Sequence, residues 1–449
     1  MAKLWDKGYS IDEGVEQYTV GQDYILDQEL VQADVAGSIA HASMLAKIGV
    51  LKQDELRKLK AGLLQILDLD KSDQFIIKPE DEDVHTAVEN YLTEKFGDLG
   101  KKIHTARSRN DQVLTDLRLY TKEKLISIEE SLLALAEALA AFAGRNKDVP
   151  IPGRTHMQLA MPSSVGLWAG AFAESLLDDL ELLKAAYKLN DQCPLGSGAS
   201  YGVALQIDRK MVSEMLGFAK VQNNVLYANN SRGKVESVVL AALSQIMLDL
   251  SKMASDMMLF SIPELGYFVL PDKFCTGSSM MPNKKNPDVL ELARAKANKV
   301  FAAYYQVVGI IKGLPSGYNR DFQETKEPLM SGLAMTKASL EIMAAVVQNL
   351  KVDKDACIKA CLPEIFATDK AVELVAKGVP FRDAYKAVAA NLDKLRGEDA
   401  VANIKSKKHI GATGNLGLEQ AMAKIAAEKK TVVKTKKSVE AVILKLLKL

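Results

Sequence analysis

The chain has 449 residues, of which 48% are hydrophobic and 26% are charged. That apolar content is enough to bury large cores and is too high for a disordered protein. The 58 basic and 57 acidic residues leave a formal net charge of +1, which argues against a nucleic-acid-binding protein because such proteins carry a basic excess. At ~100–200 residues per domain, the length predicts two or three domains.

The N-terminus and the cysteines indicate a cytoplasmic protein. Met1–Lys7 leads directly into polar residues and has no apolar signal-peptide core. The apolar runs are interrupted by charged residues, so no membrane span is predicted. The four cysteines form no Cys-x-x-Cys pair and are too few for a disulfide framework. They are Cys193, Cys275, Cys357 and Cys361.

Long stretches without Gly or Pro predict long helices, first from Lys101 to Ala143 and later from Lys234 to Ile262. Apolar residues recur in both at steps of three and four residues, the period of one helix face. Helices this long predict a rod-like bundle. Because β-type alternation is nearly absent, the predicted fold class is all-α, with three helical domains. We place an N-terminal domain at 1–106, a central long-helix bundle at 107–352 and a C-terminal domain at 353–449.

Helix ends and turns are marked by local residues. Ser108 and Asp111 have the spacing of a capping box at the start of a long helix, and Gly144 with Pro150–Gly153 predicts its end. The Gly-rich segment Gly196–Gly202 lacks the Gly-Lys-Ser/Thr ending of a phosphate loop and the spacing of a dinucleotide fingerprint. We interpret it as a structural turn.

Several kinds of chemistry have no motif in this chain. The five histidines lie too far apart along the sequence for a helical zinc pair. No Gly-x-Ser-x-Gly nucleophile elbow occurs. The sequence therefore offers no obvious metal site, nucleotide-cofactor site or hydrolase nucleophile.

Four polar segments remain as candidate sites: His104–Gln112, Arg154–Gln158, Gly277–Pro287 and Tyr318–Glu327. The third has two lysines and precedes a predicted helix, whose N-terminal amides would complete an anion-binding corner. The first carries two arginines suited to carboxylates. Each segment also has a structural interpretation. The first fits a surface salt-bridge network at a helix start, the second a structural histidine, and the third and fourth polar surface loops.

Taken together, these segments resemble a known superfamily. Gly277–Asn286 resembles the Gly-Ser-Ser-x-x-Pro-x-Lys-x-Asn signature of the fumarase/aspartase superfamily, whose members form or consume fumarate. Glu80–Asn90, His104–Gln112 and Tyr318–Glu327 resemble its argininosuccinate lyase branch. The similarity extends over residues 34–374.

The resemblance implies elimination of fumarate from argininosuccinate, which leaves arginine, with no cofactor. In such a reaction a base removes a proton from the succinyl carbon, and negative charge builds on the adjacent carboxylate as an aci-form dianion. Since the barrier is electrostatic, preorganised cations and amides are expected to make the largest catalytic contribution.

The resemblance also implies the catalytic residues. Ser278 matches the proposed base of the family, and Lys284 and Asn286 match residues that stabilise the developing charge. A serine becomes a plausible base only where amides, a lysine and a helix dipole stabilise its alkoxide. His156 matches the histidine assigned to acid–base work, and Glu291 matches the glutamate paired with it.

Substrate contacts follow from the same matches. The fumarate half is expected to contact Thr155, Ser108 and Asn110. His85 is expected to support the site from a neighbouring segment. The arginine half is expected to contact Arg109, Tyr318, Gln323 and Lys326, with Lys326 on its α-carboxylate.

The resemblance further implies a homotetramer in which three subunits build each active site, and a small-molecule substrate is the expected partner. One departure is that Tyr18–Asp23 does not reproduce the Ser-containing segment by which many members contact substrate. Three other functions remain open: a sister enzyme such as adenylosuccinate lyase, a non-catalytic structural homologue, and a helical binding module.

Overall fold

The computed structural model describes residues 12–448, which form eighteen α-helices and six short strands. The predicted all-α fold class is confirmed. Met1–Lys7, on which the expectation of no signal peptide rests, lies outside the described residues. The three-domain division stays a prediction.

Seven helices lie in the first third of the chain, and three of these have 17 or more residues. The seven are α1 (Glu13–Val20), α2 (Asp23–Asp27), α3 (Val31–Lys47), α4 (Gln53–Lys71), α5 (Val84–Phe96), α6 (Asp98–Lys101) and α7 (Arg109–Arg145). The middle of the chain forms α8 (Val165–Asn190), α9 (Arg209–Met215), α10 (Val225–Asn230), α11 (Lys234–Ser261), α12 (Asp288–Ile311) and α13 (Lys326–Asn349). The C-terminal part forms α14 (Lys354–Lys359), α15 (Ala367–Ala376), α16 (Phe381–Ala389), α17 (Ala400–Ser406) and α18 (Leu418–Leu447).

Helix α7 is the longest element, with 37 residues, so it spans about 55 Å at ~1.5 Å per residue. It starts where the capping box was predicted, with Ser108 as the N-cap and Asp111 bonding back to the Ser108 amide. It ends at Arg145, one residue after Gly144. The predicted position and length of this helix are confirmed.

Helices α7, α8, α11, α12 and α13 pack side by side as a bundle. Their inward faces are apolar and fully buried, as at Leu132, Leu139, Leu243 and Leu250. Lys234–Ser261 and Arg320–Asn349 have the length and composition of membrane spans, but 56% of each apolar window is buried within the molecule. That burial is what a bundle-core helix shows.

The strands are the part of the fold that the sequence did not predict. β1 (Pro150–Thr155) and β2 (Gln158–Ser164) form an antiparallel hairpin with an irregularity between Pro152 and Arg154. Three prolines and a glycine mask any alternation there. The others are two-residue strands: β3 (Gln192–Cys193) pairs with β4 (Lys220–Val221), and β5 (Phe268–Val269) pairs with β6 (Lys351–Val352).

Candidate active site

The start of α7 is fixed by Asp111. One carboxylate oxygen of this buried residue accepts hydrogen bonds from the amides of Gly196 and Gly198, each 2.9 Å away. The other accepts from the amide of Ser108 at 2.9 Å. Gly196 and Gly198 have positive φ angles of 86° and 60°, which glycine adopts without strain. The Gly-rich turn is therefore structural, as interpreted, and it anchors the helix start that carries Ser108.

Arg109 is held by acidic residues from the start of α5. Its guanidinium lies 3.1 Å from Glu82 and 3.0 Å from Asp83, and it donates to the Thr86 hydroxyl at 3.3 Å. Burial alone would lower the pKa of Arg109, but the charges of Asp83 and Glu82 raise it. The side chain is thus permanently charged and fixed in direction.

Four of the predicted substrate-binding residues line one cleft. They are Arg109, Asn110, Tyr318 and Gln323. The cleft is also lined by Asp23, Arg232 and Arg320, among others. Gln323 donates to the backbone oxygen of Thr19 at 3.1 Å, which ties the 3₁₀ turn Arg320–Thr325 to the N-terminal helices. The structure therefore brings together residues separated by about half the chain.

Lys326 lies behind this cleft and is 1% exposed. Its amine is 2.5 Å from Asp27 and 3.0 Å from Asp23. Burial would lower the pKa of Lys326, but the charges of Asp27 and Asp23 raise it. The lysine is therefore charged and already paired with two carboxylates. Its contact with a substrate carboxylate stays a prediction.

His85 is buried under the same region. Its Nδ1 lies 2.6 Å from Asp34 and 3.6 Å from Asp116, both of which are also buried. Burial disfavours the imidazolium, yet the hydrogen bond to Asp34 and the charges of Asp34 and Asp116 raise the pKa of His85 to about 9. His85 lies two residues from Asp83, which pairs with Arg109, and its supporting role at the cleft stays a prediction.

The Asp34–His85–Asp116 group has the residue types of a metal site, with its ligand atoms within 4.8 Å of one another. Two ligands of a tetrahedral zinc at ~2.05 Å would stand roughly 3.3 Å apart. The 2.6 Å between His85 and Asp34 is a hydrogen-bond length instead. Buried Arg107 adds a second positive charge beside Asp34 and Asp116. A proton fits this group better than a metal ion does.

Thr155 and His156 lie at the tip of the β1–β2 hairpin, which we call the hairpin tip. His156 and Met157 form its two-residue turn and have φ angles of +52° and +63°. Such turns favour Asn-Gly, because other side chains are strained there. Arg154 donates to the Met157 carbonyl at 3.0 Å and braces the turn. His156 therefore projects from a hairpin, which the sequence did not predict, and it is exposed.

The Gly277–Asn286 segment forms a closed loop, which we call the Ser278 loop. Thr276 and Asn286 pair through two backbone hydrogen bonds of 3.0 and 2.9 Å. The Ser278 hydroxyl oxygen accepts from the amides of Met280 and Met281 at 3.3 and 3.1 Å. Lys284 is exposed.

Helix α12 begins two residues after this loop, at Asp288, as predicted. Asn286 donates to the Gly277 carbonyl at 3.1 Å and closes the base of the loop. Glu291 lies on the first turn of α12 and is exposed. The positive end of the helix therefore faces the loop that carries Ser278 and Lys284.

The predicted site residues thus form three groups in one chain: the cleft, the hairpin tip and the Ser278 loop with Glu291. Within residues 12–448, no hydrogen bond or ion pair joins His156 to Glu291 or to Ser278. Sequence reasoning assigned no role to Asp23, Glu82 or Arg232, although Arg232 stands next to Gly233, the N-cap of α11. Polar residues at the start of a long helix were the signal that could have found it.

The protein family described as Lyase matches residues 12–302 of this chain. Argininosuccinate lyase from Thermotoga neapolitana is 46% identical over 387 residues, covering 86% of this chain and 97% of the relative. The enzyme of that name from Sorangium cellulosum is 44% identical over 417 residues, covering 93% and 97%.

The chain belongs to the argininosuccinate lyase family and is an enzyme of the lyase class. Among solved structures, an EDDS lyase in complex with formate superimposes with a TM-score of 0.82 at 22% identity, over 98% of this chain and 95% of that one. The two structures therefore share the same helical fold over nearly their whole length.

Proposed function

We propose that the enzyme eliminates fumarate from argininosuccinate and releases arginine, through a carbanion held as its aci-carboxylate. The assignment of argininosuccinate as the substrate rests on the 46% identity to an argininosuccinate lyase over 97% of that relative's length. The same identity supports a role for the enzyme in arginine biosynthesis. The geometry of the Ser278 loop supports the chemistry.

The base in this mechanism is Ser278. Its oxygen already accepts two amide hydrogen bonds, so an alkoxide there would be stabilised by the same donors and by the start of α12. This oxygen takes the proton from the succinyl carbon. Lys284 and Asn286 then stabilise the charge that builds on the neighbouring carboxylate.

The carbon–nitrogen bond breaks next. The electron pair of the carbanion forms the double bond of fumarate, and the bonding pair leaves with the guanidino nitrogen, which takes a proton. His156, paired with Glu291, is the proposed proton donor. In the cleft, Arg109, Tyr318 and Gln323 bind the arginine half.

We propose that the enzyme is a cytoplasmic homotetramer, and the separation of the three groups supports an active site shared between subunits. Within residues 12–448, no hydrogen bond or ion pair joins the hairpin tip, the Ser278 loop and the cleft to one another. Helix α12 also leaves Leu292, Phe301 and Tyr305 exposed along its length. A bundle of several chains would cover these side chains and bring the three groups together.

The activity is tested by fumarate release from argininosuccinate, with adenylosuccinate as the competing substrate. Equal amounts of fumarate and arginine, with no turnover of adenylosuccinate, are expected. Ser278→Ala should lower kcat by about 10²–10⁴-fold, the usual contribution of a general base. Ser72→Ala, at an exposed serine that ends α4, is the matched control and should retain full activity. Absence of fumarate from argininosuccinate would refute the proposal.

The shared site is tested by mixing two inactive variants, Ser278→Ala and His156→Asn. If the two residues of one site come from different subunits, exchange of subunits will regenerate some intact sites and restore part of the activity. Mass photometry should show four subunits. A mixture that stays inactive after demonstrated subunit exchange would place both residues in sites built by one chain.

A further inference from the structure

Arg154 belongs to the hairpin tip, but its guanidinium is turned toward the core. Its backbone pairs with Leu159 in the hairpin, whereas its Nε is buried and has no hydrogen-bond partner within residues 12–448. Across the same residues no carboxylate forms an ion pair with it. A cation that is withdrawn from water without a counter-ion adds little to stability. Its presence in the hairpin therefore calls for another explanation.

The turn beside Arg154 does not hold its shape by local preference. His156 and Met157 have φ angles of +52° and +63°, which residues with a side chain adopt only where the surroundings impose them. The Nη1 of Arg154 donates to the Met157 carbonyl at 3.0 Å and so closes the turn across its base. The pairing is irregular between Pro152 and Arg154, and such a bulge re-aims the side chain that follows it.

Tyr267 is the core partner of this guanidinium. It is 1% exposed, and burial raises its pKa, whereas a hydrogen bond from Arg154 and the charge of Arg154 lower that pKa. The Tyr267 ring lies 5.8 Å from the ring of Phe260 on α11. The Tyr267 carbonyl accepts from the Asp353 amide at 3.0 Å. Arg154 thus joins an exposed turn to a tyrosine that is fixed in the bundle core.

We infer that Arg154, anchored on Tyr267, is a positioning residue that holds the His156 imidazole where it protonates the leaving nitrogen. This inference rests on the proposed function. A general acid must lie within about 2.6–3.2 Å of the atom that takes its proton, and a displacement of about 1 Å can lower the rate by roughly 10²-fold. An exposed turn that is free to flex loses this precision, and the contacts of Arg154 remove that freedom.

The test is a double-mutant cycle between Arg154 and His156. Arg154→Met should lower kcat for fumarate release by about 10- to 100-fold and change KM by less than about threefold, because the acid is misplaced while the substrate contacts remain. In His156→Asn there is no imidazole to position, so adding Arg154→Met should change the residual single-turnover rate by less than about twofold. Arg57→Met, at an exposed arginine of α4, is the matched control and should retain full activity.

Two further variants keep the test decisive if Arg154→Met folds poorly. Arg154→Lys keeps a donor for the Met157 carbonyl and should retain part of the lost kcat. Tyr267→Phe removes only the hydroxyl of the anchor, so it should lower kcat by about 3- to 10-fold and add no further loss in His156→Asn. An unchanged kcat in Arg154→Met would overturn the inference. Equal losses with and without His156 would do so too, because they would show a merely structural role.

Failure of this inference is distinguishable from failure of the proposed function. A wild-type enzyme that releases no fumarate from argininosuccinate refutes the function, and a His156→Asn enzyme with full kcat refutes the role of His156. Either result removes the inference as well. An active wild type, a slow His156→Asn variant and a fully active Arg154→Met variant refute only the assignment of Arg154.

Discussion

The cleft and the Ser278 loop are built in opposite ways. At the cleft, half-buried Arg109 and buried Lys326 are each paired with two carboxylates, as in Lys326 between Asp23 and Asp27. The Ser278 loop is exposed, and the Ser278 hydroxyl is bonded to the amides of its own turn. Substituting a cleft residue should therefore cost folding free energy, whereas substituting a loop residue should cost catalysis alone.

Substitutions of Lys326 and Lys284 test this difference between the cleft and the loop most directly. Lys326→Met leaves two buried carboxylates without their cation and should lower the free energy of unfolding by about 3–5 kcal/mol. Urea denaturation measures this value. A loss below about 1 kcal/mol would mean that water reaches Asp23 and Asp27.

Lys284→Met is the counterpart at an exposed position. The substitution should change the free energy of unfolding by less than about 0.5 kcal/mol. It should lower kcat by about 10²–10³-fold, because it removes a charge that stabilises the transition state. Single-turnover fumarate release measures the rate. A strong rise in KM with unchanged kcat would assign Lys284 to substrate binding instead.

His85 makes the stability of the region beneath the cleft depend on pH. Its pKa of about 9 lies above the ordinary value of 6.5, so its folded state favours the protonated form. The resulting stabilisation, on the order of 3 kcal/mol, is fully present below about pH 6.5 and is lost as pH rises through about 9. The gap in unfolding free energy between wild type and His85→Gln, from urea titrations at pH 6, 7.5 and 9, should shrink with rising pH. A gap that grows would show that His85 is buried neutral.

Ser108 gives the smallest effect, because it is both a helix cap and a candidate substrate contact. Ser108→Ala should cost about 1 kcal/mol of stability through the lost cap, whereas Ser108→Gly should cost only a few tenths. Thermal unfolding separates the two variants. If both variants raise KM equally despite their different stabilities, the hydroxyl contacts substrate as well.

The local features of the fold were predictable from the sequence because neighbours along the chain determine them. The capping box at Ser108, the length of α11 and the start of α12 at Asp288 all follow from short-range patterns. The Ser278 loop was recognisable for the same reason, since its chemistry lies within ten consecutive residues, 277–286.

The pairing in the cleft was not predictable, because it depends on contacts across the whole chain. Lys326 and Asp27 are 299 residues apart, and no local pattern indicates that they meet. The hairpin at Pro150–Ser164 was missed because its prolines break the alternation that normally indicates a strand. Arg232 was missed because only its burial, with an Nε that has no hydrogen-bond partner within residues 12–448, distinguishes it from a surface arginine.

The hairpin tip also bears on how the enzyme can be engineered for heat resistance. His156 and Met157 both occupy left-handed conformations that would suit Asn-Gly, at roughly 1–2 kcal/mol of strain per residue. Replacing His156 with Asn would relax the turn but would remove the imidazole. At this position, selection for activity therefore opposes selection for stability. Position 157 carries no such conflict. Met157→Gly would therefore relax the turn without loss of the proposed acid, His156.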